Sequence, residues 1–190
     1  MTRFVDRGAI TAAYVGIGMA VTIGVSFLLV IPIEPIYWLL APLAGLMIGY
    51  YANQRSNRTR GAWRRVIANS LFAGLVTGLT LAALLLAVKL LFFNADDGYR
   101  DANLGGPISC STGADCVYQR YLAQGKGPDL AAIGVTDASS FSRFYWNQQL
   151  TTAALLVGIA TLSGLLGGVA YALTRPPDPR AVAPGQSSAA

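Results

Sequence analysis

Cys110 and Cys116 are the only cysteines of the 190-residue chain and its most readily oxidised side chains. Five residues separate them, Ser111-Thr112-Gly113-Ala114-Asp115. That spacing suits a short turn closed by a disulfide, which persists in an oxidising compartment. So small a loop removes little chain entropy, worth about 2 kcal/mol in the loop-closure account. The predicted role is structural, shaping a local hairpin. A thiol-oxidising membrane enzyme would need a second cysteine pair, and the chain has none.

The rest of the chemical inventory is sparse. The chain contains no histidine. Histidine-dependent triads are therefore excluded. So are the commonest zinc ligand and the usual axial ligand of haem. Gly125-Lys126-Gly127 lacks the glycine spacing and the following Ser or Thr of a phosphate-binding loop. No catalytic, cofactor-binding or metal-binding residue is predicted. Lys89 is the one ionisable residue inside an apolar run, near its outer end, where its ammonium can snorkel to the headgroups. Glu34, the only glutamate, falls at the same predicted depth. The two form a candidate outer-rim ion pair.

The elements that must position these residues are membrane spans. Of the chain, 54% is hydrophobic and only 12% charged, about half the charge of a typical soluble domain. Four apolar runs stand out, 10–31, 36–52, 66–93 and 150–174. A bilayer core about 30 Å thick needs roughly 20 apolar residues in a helix. The first run is too long for a signal-peptide core and lacks a small-residue cleavage site, so it reads as a retained span. The predicted fold is an all-α integral membrane protein, with four transmembrane helices in an up-down bundle.

Arginine placement orients the bundle. Arg3 and Arg7 precede the first run, and Arg55, Arg58, Arg60, Arg64 and Arg65 lie between the second and third. Arg175 and Arg180 follow the fourth. Short basic loops stay in the cytoplasm, so both termini are predicted there, with 1–9 as the N-terminal segment. Residues 94–149 carry four basic side chains against six acidic ones and belong outside. The basic 53–65 loop reads chiefly as topogenic, with anionic lipid as a further ligand. The net charge of +5 is thus topological, and nucleic acid is not a predicted partner.

Small residues recur at spacing four in every run, which places them on one helix face. Gly16 and Gly24 mark the first, Gly45 and Gly49 the second, Gly74 and Gly78 the third, Gly164 and Gly168 the fourth. Such ridges let helix backbones approach closely in lipid. They predict a tight bundle or docking onto a partner.

The outer segment is too long for a plain connection. Val117, Tyr118, Tyr121 and Leu122 recur at helical spacing. Asp137 reads as an N-cap ahead of Phe141, Phe144 and Tyr145. Gly105-Gly106-Pro107 and Gly125-Lys126-Gly127-Pro128 read as turns. The prediction is a small helical extracytoplasmic cap. The Pro-rich 175–190 tail is predicted to be disordered.

The resulting expectation is a non-catalytic structural or accessory subunit, docking to membrane partners through glycine ridges and the cap. A small-solute permeation component acting as a homo-oligomer is the alternative, and an outer-face binding module a third. Twelve arginines against two lysines hint at a GC-rich coding sequence and a bacterial plasma membrane.

Overall fold

The computed structural model describes residues 5–29, 34–56, 62–95 and 112–174, with the side chains of 26–29 and 34–37 left aside. Every regular element among them is helical. They are α1 (Arg7–Leu29), α2 (Glu34–Arg55), α3 (Trp63–Ala95), α4 (Ala114–Ala123), α5 (Gly127–Ala132) and α6 (Ala138–Thr174). Three are long and apolar enough to cross a membrane, namely α1 over 7–25, α3, and α6. By length and composition this is a multi-pass membrane protein. α2 is not among these three, although its 22 residues extend roughly 33 Å. Its ends are diluted by Glu34, Asn53, Gln54 and Arg55, and it carries Pro42 inside. That proline withholds one N–H from the carbonyl four residues back.

The long helices start ahead of the apolar runs that announce them. α1 starts at Arg7, where the Asp6 carbonyl accepts from the N–H groups of Ala9 and Ile10. α6 starts at Ala138, not at Leu150, and its 37 residues span roughly 55 Å. Asn147-Gln148-Gln149 interrupts the apolar pattern without interrupting the helix. A polar stretch changes which solvent suits a helix, while its backbone hydrogen bonds continue.

The chain divides into two units, residues 1–84 with 155–190, and residues 85–154. In the first, each helix has a buried face rich in small residues and an exposed face of large apolar ones. On α3, Ala73, Thr77 and Leu81 are buried, while Ile67, Leu71, Leu75 and Leu79 are exposed. α2 follows the same rule, with Ala41, Ala44 and Ile48 buried and Leu39, Leu43 and Met47 exposed.

The second unit has a core of Phe93, Val117, Leu130, Val135, Phe141 and Tyr145. Its short helices end in matching ways. After α4, Lys126 N–H donates to the Tyr121 carbonyl and Gly125 N–H to that of Leu122. After α5, Val135 N–H donates to Leu130 and Gly134 N–H to Ala131. Both are Schellman closures, which need a left-handed residue. Gly125 and Gly134 supply it, with φ of 76° and 80°. The second closure also brings Val135 onto Leu130 in the core. α5 replaces part of the turn predicted at 125–128, because Pro128 fits the first turn of a helix, where its missing N–H costs nothing.

Asp137 caps α6, its Oδ1 accepting from the N–H groups of Ser139 and Ser140 at 2.8 Å. These bonds, the Ser140 N–H first, hold its carboxyl below the ordinary carboxylate range. A carboxyl depressed on folding favours the folded state above its unfolded pKa. That contribution disappears as pH falls through the lower, folded value. Acidification below about pH 4 is therefore expected to fray the first turn of α6. Amide exchange at Ser139 and Ser140 would report it. Asp137→Asn should keep the cap and lose the pH dependence, while Asp137→Ala should expose these amides at every pH.

Candidate functional site

The first unit is built around a glycine seam. A Cβ added to Gly45 would run into the Ala160 carbonyl of α6, and one on Gly49 into the Gly164 carbonyl. From the other side, a Cβ on Gly167 would strike the Leu46 carbonyl of α2. These are backbone-on-backbone approaches that only glycine permits. Gly74 and Gly78 bring α3 onto α6, where a Cβ would lie 3.0 Å from the Ala160 carbonyl oxygen and the Val157 Cα, respectively. Gly164 and Gly168 answer from α6, against Gly74 and Ser70. Gly16 faces Thr77 of α3 and Gly24 faces Leu84. All eight ridge glycines thus lie against helices of this same chain.

Neutral polar groups cross-link one end of the seam. Asn53, fully buried, donates from Nδ2 to the Gly49 carbonyl at 3.0 Å and to Ser70 Oγ at 2.7 Å. Ser70 Oγ donates in turn to the Val66 carbonyl at 2.8 Å. Buried hydroxyls and amides need such partners, since leaving one unpaired costs about 1–3 kcal/mol. Two buried acceptors, Asn53 Oδ1 and Thr161 Oγ1, bond to nothing among the described residues.

A second knot lies beside the first. The Asp6 N–H donates to Asn69 Oδ1 at 3.2 Å, and Asn69 Nδ2 returns a bond to Asp6 Oδ2 at 2.9 Å. Asn69 Nδ2 also reaches Ser56 Oγ at 3.3 Å. Arg65 closes the set with an ion pair to Asp6 at 3.4 Å. A Cβ on Gly8 would meet the Ser56 backbone, so α1 rests closely on the end of α2. The start of α1, the end of α2 and the start of α3 therefore meet at one place.

Arginines surround that knot. Arg55 ends α2 and Arg64 and Arg65 open α3, all exposed. Arg58 and Arg60 lie outside the described residues, as does Cys110. Cys116 is 1% exposed, and no cysteine among the described residues is a free thiol. Lys89 is half-buried in α3, whereas the Glu34 side chain lies outside what is described, and the candidate pair with it.

In the second unit, Phe141 sits within 5.0 Å of Tyr121, 5.4 Å of Tyr118 and 6.0 Å of Tyr145, centroid to centroid. Lys126 Nζ stands 4.7 Å from the Tyr121 ring centre, a cation–π geometry. Burial pulls the Arg120 guanidinium below its ordinary range, with Tyr121 and Tyr145 acting the other way.

Asp6, Asn53, Asn69 and Gly167 belong to this assembly and were not singled out by the residue patterns. A signal was present for two of them. Asn53 continues the Gly45, Gly49 spacing by one step, and Asn69 precedes Ser70, which lies four residues before Gly74 and extends the α3 ridge. Chemically, these groups are hydrogen-bonding amides and hydroxyls with one engaged carboxylate. No group of three metal-ligating side chains occurs among the described residues. No family of known proteins matches this sequence, and neither does any curated protein or solved structure.

Proposed function

We propose that this is a non-catalytic membrane protein, serving as a small structural or accessory subunit. The observation that carries the reading is the seam itself. The interior of the first unit is occupied by helix backbones in contact, joined by neutral hydrogen bonds. Such an interior supplies rigidity. It does not resemble a solute path lined by ionisable groups. Because the ridge glycines are covered from within the chain, docking falls to the segment between α3 and α6.

In this proposal α2 is the fourth span, supported by its apolar outward face of Leu39, Leu43 and Met47. Both termini are cytoplasmic, in keeping with the arginines at the meeting point of α1, α2 and α3. Residues 94–149 form an extracytoplasmic helical cap, supported by α4, α5 and their aromatic core. A Cys110–Cys116 disulfide closes it, in keeping with a buried Cys116 that is not a free thiol. Arginine-rich composition favours a bacterial plasma membrane.

The test is purification in a mild detergent from the native membrane at native expression, followed by mass spectrometry of the intact assembly. A larger membrane protein at fixed stoichiometry is the expected result. A lone monomer would overturn the reading. A homo-oligomer that carries solute flux after reconstitution would replace it with a permeation component.

A further inference from the structure

We infer that the meeting point of α1, α2 and α3 is a binding site for the phosphate headgroup of an anionic phospholipid. Arg7, Arg55 and Arg64 are exposed there and form no ion pair among the described residues. The fourth arginine, Arg65, is 51% exposed and is steered by Asp6. Asp6 is the one carboxylate described at this end, and it is 14% exposed and held by Asn69. Among the described residues, this end therefore presents four guanidinium groups against one engaged acid. Trp63, 44% exposed at the start of α3, supplies the amphipathic ring that favours the headgroup level.

Topology alone needs only positive charge in a loop. The structure adds fixed placement. Arg7 lies next to Asp6 in sequence, and Arg55 next to Ser56, and both of these neighbours bond to Asn69. Arg64 is held one residue from the paired Arg65. The knot thus sets three arginine backbones in place before any ligand arrives, which lowers the ordering cost of binding. A guanidinium fork matches phosphate oxygens two at a time. A phospholipid is the source the geometry favours, because exposed apolar side chains follow along the same helices, Ile67 and Leu71 on α3 and Met47 and Leu46 on α2, where acyl chains would lie.

The inference rests on the membrane-spanning reading, so insertion is scored separately by resistance to alkaline extraction. The full chain is reconstituted in bilayers of phosphatidylcholine and phosphatidylglycerol, extracted gently, and its retained lipid counted by native mass spectrometry. Phosphatidylglycerol is expected to be retained over phosphatidylcholine. Each of Arg7→Gln, Arg55→Gln and Arg64→Gln should cut that preference roughly fivefold, and all three together on the order of 100-fold. Should the triple variant fail to insert, the single variants decide. Equal retention of the two lipids by inserted wild-type protein overturns the site, as does an unchanged preference in inserted variants. Displacement of the lipid by inorganic phosphate at matched concentration would assign the site to free phosphate instead. Wild-type protein released by alkali overturns the spanning reading itself.

Discussion

Gly49→Ala is expected to destabilise the first unit by about 1–3 kcal/mol, the usual cost of forcing extra volume into a packed core. The new methyl group would meet the Gly164 carbonyl, which belongs to the backbone of α6 and has no rotamer in which to retreat. The Gly49 carbonyl also accepts from Asn53, so any shift of α2 disturbs that bond too. Gly18→Ala and Gly158→Ala are the internal controls, because a Cβ at either position meets nothing within 4 Å. Both should be neutral or gain up to about 1 kcal/mol from helix propensity. Thermal unfolding in one detergent would separate the classes. Equal behaviour of Gly49→Ala and Gly18→Ala would show that the seam does not hold the helices together.

Phe141→Ala should cost more, about 3–5 kcal/mol, in the range for truncating a buried aromatic. The ring is 0% exposed and is flanked by Tyr118, Tyr121 and Tyr145. Those neighbours belong to α4 and to α6 itself, both fixed at their ends by the closure at Gly125 and the cap at Asp137, so the void cannot fully collapse. Hydrogen exchange is the measurement. Amides of Leu130 and Val135 should open together, whereas those of Ala41 and Ile48 in the first unit report its local stability independently. Unchanged protection at Leu130 and Val135 would mean that the aromatic cluster contributes little to the unit.

The residue patterns conveyed three of the four expected spans, because length and hydropathy decide them and tertiary context does not. α3 and α6 enclose runs visible in the sequence, and α1 covers residues 10–29 of the first run. Helix ends were less legible. The break between Gln149 and Leu150 is a change of side-chain polarity, not of backbone, and hydropathy cannot tell the two apart. α5 was hidden because Gly127-Pro128 is equally good punctuation for a turn and for a helix start. The polar knot was missed for a different reason. Ser70 reads as one more small residue of a ridge, and its hydroxyl matters only once Asn53 is brought within 2.7 Å. Gly167 lies off the spacing of Gly164 and Gly168, yet it faces Leu46 because α6 meets α2 and α3 on adjacent sides. A single-helix periodicity records one contact face at a time.

The backbone seam also governs how this protein can change over generations. At Gly16 the obstacle to a larger residue is the Thr77 side chain, so a second mutation at Thr77 can act as a suppressor. At Gly45, Gly49 and Gly167 the obstacle is a main-chain carbonyl, which every amino acid carries. No substitution at the facing position removes it. Lesions there have no local suppressor and can be relieved only by reversion or by moving a whole helix.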